Sequence, residues 1–167
     1  MPGDALTVAG LYGKLPAHGD FVSRGLRQAD AAAIDAGMAA MTMAARTEWG
    51  GEFAARWDAA QPWLYAGRTR SAVLIPSIDA AMRRFPLYVA ARGGDLQALY
   101  DAAVEAIAEG LDADTLFGRM EDMEPGDGPP EPPDASERAA GWFLPDAGQP
   151  ALPWPESGMG IDWELMD

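Results

Sequence analysis

The 167-residue sequence has no cysteine, which excludes a disulfide framework, a thiolate metal site and a cysteine nucleophile, and fits a reducing compartment. Histidine is almost absent as well. With His18 alone, a metal site would have to be rich in carboxylates, and the first 94 residues carry only scattered acids. Long hydrophobic runs are missing: stretches such as Ala72–Ile75 (AVLI) fall far short of the roughly 18 residues that cross a bilayer. The opening MPGDALTVAG lacks the basic start and apolar run of a secretory signal. These absences predict a soluble, cytoplasmic protein without membrane insertion.

Positive charge is scarce in one half only. Residues 1–94 hold 10 Lys+Arg against 8 Asp+Glu, whereas residues 95–167 hold 2 against 18, for a net charge of −14. A surface this acidic repels nucleic-acid phosphates and anionic headgroups, so protein partners are expected and nucleic acid is not. At 49% hydrophobic and 23% charged residues, the composition is that of an ordinary globular domain with a sizeable core.

The apolar pattern sets out the elements. Leu6–Tyr12 reads as a short strand ending at Gly13. From Asp30, a candidate N-cap, Ile34, Met38, Met41 and Ala45 fall on one helical face. Their spacing assigns these methionines to the core rather than to a binding groove. Trp49, Phe53 and Trp57 repeat every fourth residue, with a bend expected at Gly50-Gly51 and helix across Arg46–Ala59. Strands are predicted at Trp63–Gly67, Ser71–Ser77 and Phe85–Ala91, the first two as an antiparallel hairpin. Leu96, Leu99, Tyr100, Ala103, Ile107 and Leu111 mark a helix, with a short continuation through Leu116 and Phe117. Residues 1–120 are thus expected to form the domain and the acidic, Pro/Gly-rich stretch 121–137 a linker. A tail then spans 138–167, with a possible edge strand at 141–144. The tail carries Trp142, Trp154 and Trp163, candidate aromatic anchors for a partner or for the domain itself.

The segment Gly13–Leu26, GKLPAHGDFVSRGL, gathers the candidate chemistry. Gly13-Lys14 is not a phosphate loop, because Val8 and Leu15 stand where that motif needs glycine and a hydroxyl residue. A strand-ending glycine followed by a solvated lysine is the simpler reading. His18 with Asp20 suggests a base and its orienter, the basis of an alternative reading as a small hydrolase. None of Ser23, Ser71 and Ser77 lies in a nucleophile elbow, so a loop histidine with a structural hydrogen bond is favoured. Asp20 is expected to accept a backbone N–H while Phe21 inserts into the core. Arg24 and Arg27 are candidate docking residues through their guanidinium forks. No cofactor, metal or catalytic residue is predicted, and a generic acidic interaction module is a further alternative.

That segment resembles the opening of the TagF family, accessory proteins of bacterial type VI secretion, whose members read G-K-[LMV]-P-x-x-G-D-F-[LV]-x-R near the start. A second block, Pro76–Leu87 (PSIDAAMRRFPL), is similar to the family's P-S-x-D-x-x-G-R-x-F-P-L. Met82 departs from it where the pattern has glycine, a residue suited to positive φ. The resemblance covers roughly residues 8–120. It implies an α/β (α+β) single domain with a mostly antiparallel central sheet flanked by helices. It also implies a non-enzymatic, post-translational regulator, in known members a repressor, whose partner is a forkhead-associated scaffold protein of the secretion machine. Lys14, Pro16, His18, Asp20, Arg24 and Arg83 are the binding residues expected on this basis. Gly13, Gly19, Phe21, Pro76, Asp79, Phe85 and Pro86 are expected to shape the motif. The acidic half is a candidate shield over Arg68, Arg70, Arg83 and Arg84.

Overall fold

The computed structural model describes residues 9–66, 70–92, 95–123, 137–138, 142–146 and 148–153. The start of the first expected strand (6–8), the hairpin loop 67–69, linker residues 124–136 and the tryptophans at 154 and 163 lie outside them. The elements run β1 (Ala9–Gly13), β2 (Val22–Arg24), α1 (Gln28–Trp49), a 3-10 turn (Gly50–Glu52), α2 (Phe53–Ala59), β3 (Trp63–Ala66), β4 (Arg70–Ile75), β5 (Leu87–Arg92), α3 (Leu96–Glu109), α4 (Ala113–Glu121), β6 (Glu137–Arg138) and β7 (Trp142–Phe143). One sheet holds all strands in the order β2-β1-β5-β4-β3-β7-β6. Every pairing in it is antiparallel, and helices cover both faces, as the family resemblance implies.

Strand alternation supplies both cores. In β4 and β5, Val73, Ile75, Leu87 and Val89 face α3 and α4, where Leu96, Leu99, Ala103, Leu116 and Met120 close one cluster. Ala72, Leu74, Tyr88 and Ala90 face the other way, onto Ile34, Met38, Met41 and Ala45 of α1 and Phe53 and Trp57 of α2. Burying a leucine such as Leu99 or Leu116 contributes about 1.5–3 kcal/mol. The predicted α1 stripe is the stripe that is buried.

Local chemistry moves several boundaries. Helix α1 starts at Gln28 rather than at Asp30, with Arg27 as an N-cap that makes no side-chain cap bond. Asp30 sits in the first turn, where a carboxylate favours the helix N-terminus, and pairs back to Arg27 Nε at 2.8 Å. Gly50-Gly51 forms the expected break as a 3-10 turn. Gly110 caps α3 in the left-handed conformation, so the continuation is a separate helix, capped by the Asp112 carboxylate on Thr115 N–H.

Within Gly13–Leu26, Val22–Arg24 returns along β1 as β2, and two expectations are corrected. The strand near 141–144 forms at Trp142–Phe143 but is not an edge, since β6 pairs outside it. The expected linker loses both ends: Glu121 belongs to α4, Met123 packs on the core, and Glu137 enters β6.

Candidate functional site

The two sequence blocks meet at one end of the sheet. β1 ends at Gly13 beside the first residue of β5, Leu87, while Ile75 of β4 pairs with Leu87 from its other side. The loops that leave these strand ends therefore converge. Gly13 has φ of +137°, and a Cβ there would lie 2.2 Å from the Pro86 carbonyl oxygen. Only glycine permits that approach. Across the same junction Lys14 N–H donates to the Pro86 carbonyl at 3.3 Å, and the Ser77 hydroxyl donates to the Lys14 carbonyl at 2.7 Å.

Asp79 is the centre of the arrangement and is fully buried. Its Oδ1 accepts the backbone N–H groups of Ala81 and Arg83, each at 2.9 Å. Its Oδ2 accepts Arg83 Nε at 2.8 Å and lies 3.1 Å from Lys14 Nζ. Burial pushes the Asp79 carboxyl up, but the Arg83 backbone N–H, the Lys14 ammonium, the Ala81 N–H and the Arg83 guanidinium outweigh it and hold the group well below the usual carboxylate range. Lys14 is correspondingly buried, which corrects the expectation of a solvated lysine. Its ammonium reaches Asp79 and lies 4.9 Å from the Phe21 ring centroid and 5.9 Å from that of Phe85, so the lost hydration is replaced by a carboxylate and two aromatic faces.

The Asp79 carboxylate also shapes its own loop. Met82 N–H donates to the Asp79 carbonyl and Asp79 N–H to the Arg83 carbonyl. Met82 at the tip has φ of +63°, so the left-handed conformation suited to glycine is kept with a methionine in place. That side chain is 61% exposed. The loop is then fastened to the first block: Ala80 N–H donates to the His18 carbonyl at 2.7 Å, and Arg83 Nη2 donates to the Gly19 carbonyl at 2.7 Å.

His18 is held from both sides. Its N–H closes a turn onto Leu15, and its Nε2 accepts the Ala113 N–H at 3.0 Å, satisfying one of the open donors at the start of α4. The Asp20 carboxylate accepts the N–H of Phe21 at 2.8 Å, so His18 Nε2 and Asp20 Oδ1 each serve a backbone N–H rather than each other. Phe21 corrects its expectation. It is 43% exposed, stacks on Tyr12 at 5.9 Å and meets the edge of Phe85 at 5.0 Å.

The remaining expected residues distribute around this centre. Pro16 and Pro76 are half-buried, Gly19 is exposed, and Phe85 and Pro86 are buried. Arg24 pairs through Nε with Asp114 at 2.7 Å, tying the first block to α4. Arg84, one of the cations suggested for shielding, already pairs with Asp58 at 2.9 Å, and Arg83 with Asp79. Four participants went unread in the sequence: Tyr12, whose hydroxyl donates to Asp35 at 2.7 Å, Ser77, Met82 as an exposed tip, and Ala113. Ser77 sits inside the second block, where its pattern offered a signal. The others depend on tertiary neighbours. Among the described residues no group of three or more His, Cys, Asp or Glu side chains is placed to hold a metal, and no helix is long and apolar enough to cross a membrane.

Comparison with known proteins places both loops within one family span. The family model of the TagF N-terminal domain, described as type VI secretion system-associated, matches residues 10–123, a span that contains both loops. A solved structure, PA0076 from Pseudomonas aeruginosa PAO1, is similar at 28% identity and a TM-score of 0.54, over 72% of this chain. The similar region spans 64% of that protein's own length. No curated protein matches significantly.

Proposed function

The chain belongs to the TagF family of type VI secretion-associated proteins, and we propose that it serves there as a non-enzymatic cytoplasmic regulator that represses by binding the forkhead-associated scaffold component. The observation that carries the reading is the joining of the two family blocks into one exposed feature. Lys14, Asp79 and Arg83 lock the loops together from within, and Phe21 and Met82 are left exposed above them. Large apolar side chains held outward on a rigid base suit protein recognition, where a few such anchors dominate affinity. His18 and Asp20 act in this reading as loop builders, because His18 Nε2 and Asp20 Oδ1 each accept a backbone N–H. Lys14 acts likewise, whereas Pro16, Arg24 and Arg83 border the surface.

Immobilised full-length protein should retain the scaffold component of the same secretion system. Replacing Phe21 with serine should weaken retention at least tenfold while the circular-dichroism spectrum stays that of the parent. Retention unaffected by Phe21→Ser would remove this face from the interaction. No retention by the parent would overturn the choice of partner.

A further inference from the structure

At the end of the sheet remote from the two loops, Arg70 opens β4 directly across from Arg92, the last residue of β5. Directly opposed residues of an antiparallel pair project from the same face, here the face whose inner positions are Ala72, Leu74, Tyr88 and Ala90. Like charges in that relation are destabilising. Other described basic side chains have answers to their charge. Lys14 and Arg83 meet Asp79, Arg24 meets Asp114, Arg56 meets Glu52, Arg84 meets Asp58, and Arg46 lies over the Phe53 ring at 4.2 Å. Arg70 and Arg92 have no carboxylate partner among the described residues. The acid nearest in sequence, Asp95, is occupied in capping α3 through the Gln97 N–H at 2.9 Å. Arg92 is exposed and Arg70 half-buried.

We propose that Arg70 and Arg92 form an anion-binding site that takes a carboxylate-rich segment of a partner protein. Two guanidinium groups opposed across the ladder, without a carboxylate partner among the described residues, relieve their mutual repulsion by accepting negative charge. Each fork matches a planar carboxylate bidentately, with direction as well as charge. The side-by-side placement suits two acids at alternate positions of an extended segment, whose side chains share one face, better than one compact phosphate. The site is separate from the loop surface and does not depend on the identity of the partner proposed for it.

The test titrates full-length protein at low ionic strength with an alternating Glu-Thr octapeptide and, separately, with inorganic phosphate, following amide and arginine side-chain signals by NMR. Saturable binding of the peptide with shifts at Arg70 and Arg92 is expected. The double substitution R70Q/R92Q should weaken it at least tenfold, whereas Arg56→Gln should leave it within twofold. Arg92→Glu gives an independent readout: it places opposite charges across the ladder, so melting temperature should rise while peptide binding is lost. No saturable binding to the parent, equal binding by R70Q/R92Q, or phosphate binding as tight as the peptide would overturn the proposal.

Discussion

Replacing Asp79 with alanine should be the most damaging polar substitution in the domain. The carboxylate is fully buried and serves four donors: the N–H groups of Ala81 and Arg83, Arg83 Nε and Lys14 Nζ. Its removal leaves the Lys14 ammonium, whose side chain is only 9% exposed, without a counter-charge, and breaking a buried pair in this way costs about 3–5 kcal/mol. That is a large part of the roughly 5–15 kcal/mol that stabilises a domain. Lys14→Met leaves Asp79 with its three other donors and should cost less, about 1.5–3 kcal/mol, as for a hydrogen bond to a charged group. The Arg83 side chain is 61% exposed, so solvent screens its pairing and Arg83→Ala should cost no more than about 1 kcal/mol. Urea unfolding followed by tryptophan fluorescence reads all three, with a loss near 4 kcal/mol lowering the midpoint by roughly 2 M at an m-value of about 2 kcal/mol/M. Because the folded-state acidity of Asp79 is displaced downward, its contribution is complete above the unfolded carboxyl pKa of about 4 and is lost as pH falls from there toward the depressed folded value. Asp79→Asn should flatten that acid limb. A cost below 1 kcal/mol for Asp79→Ala, or a larger cost for Arg83→Ala than for Lys14→Met, would refute the reasoning.

Met82→Gly should raise stability by about 1 kcal/mol, because the left-handed backbone at this position strains any residue with a Cβ; a lower melting temperature would contradict this. Gly13→Ala should lower the melting temperature sharply, since its Cβ would meet the Pro86 carbonyl oxygen at 2.2 Å with backbone on both sides of the contact. His18→Ala removes the acceptor of the Ala113 N–H and should cost about 1 kcal/mol, with faster exchange of that amide. Protection unchanged at Ala113 would mean that the α4 terminus is satisfied otherwise.

Much of the fold was legible because it rests on local periodicity. Ile34, Met38, Met41 and Ala45 repeat at helical spacing and are buried together, and the short connection between the third and fourth strands dictated their antiparallel pairing. The misjudged features depend on partners distant in sequence. Asp30 looked like an N-cap, but Arg27 offered it a pairing one turn back. Lys14 looked solvated because its counter-ion lies 65 positions away, and Phe21 looked buried because its apolarity says nothing about which side of Phe85 it occupies. β2 was hidden since three residues are too few to establish alternation. The two motif blocks were readable in the sequence, while their physical union through Asp79 and the Arg83–Gly19 contact became visible only in three dimensions.

The central claim is that the joined loops 15–21 and 79–83 are the face that meets the scaffold partner. Hydrogen exchange of the full-length protein, with and without saturating scaffold component, tests it most directly. Added protection is predicted in those two loops together, reduced in parallel by Phe21→Ser. Protection confined to other elements, with both loops exchanging as in the free protein, would contradict the account.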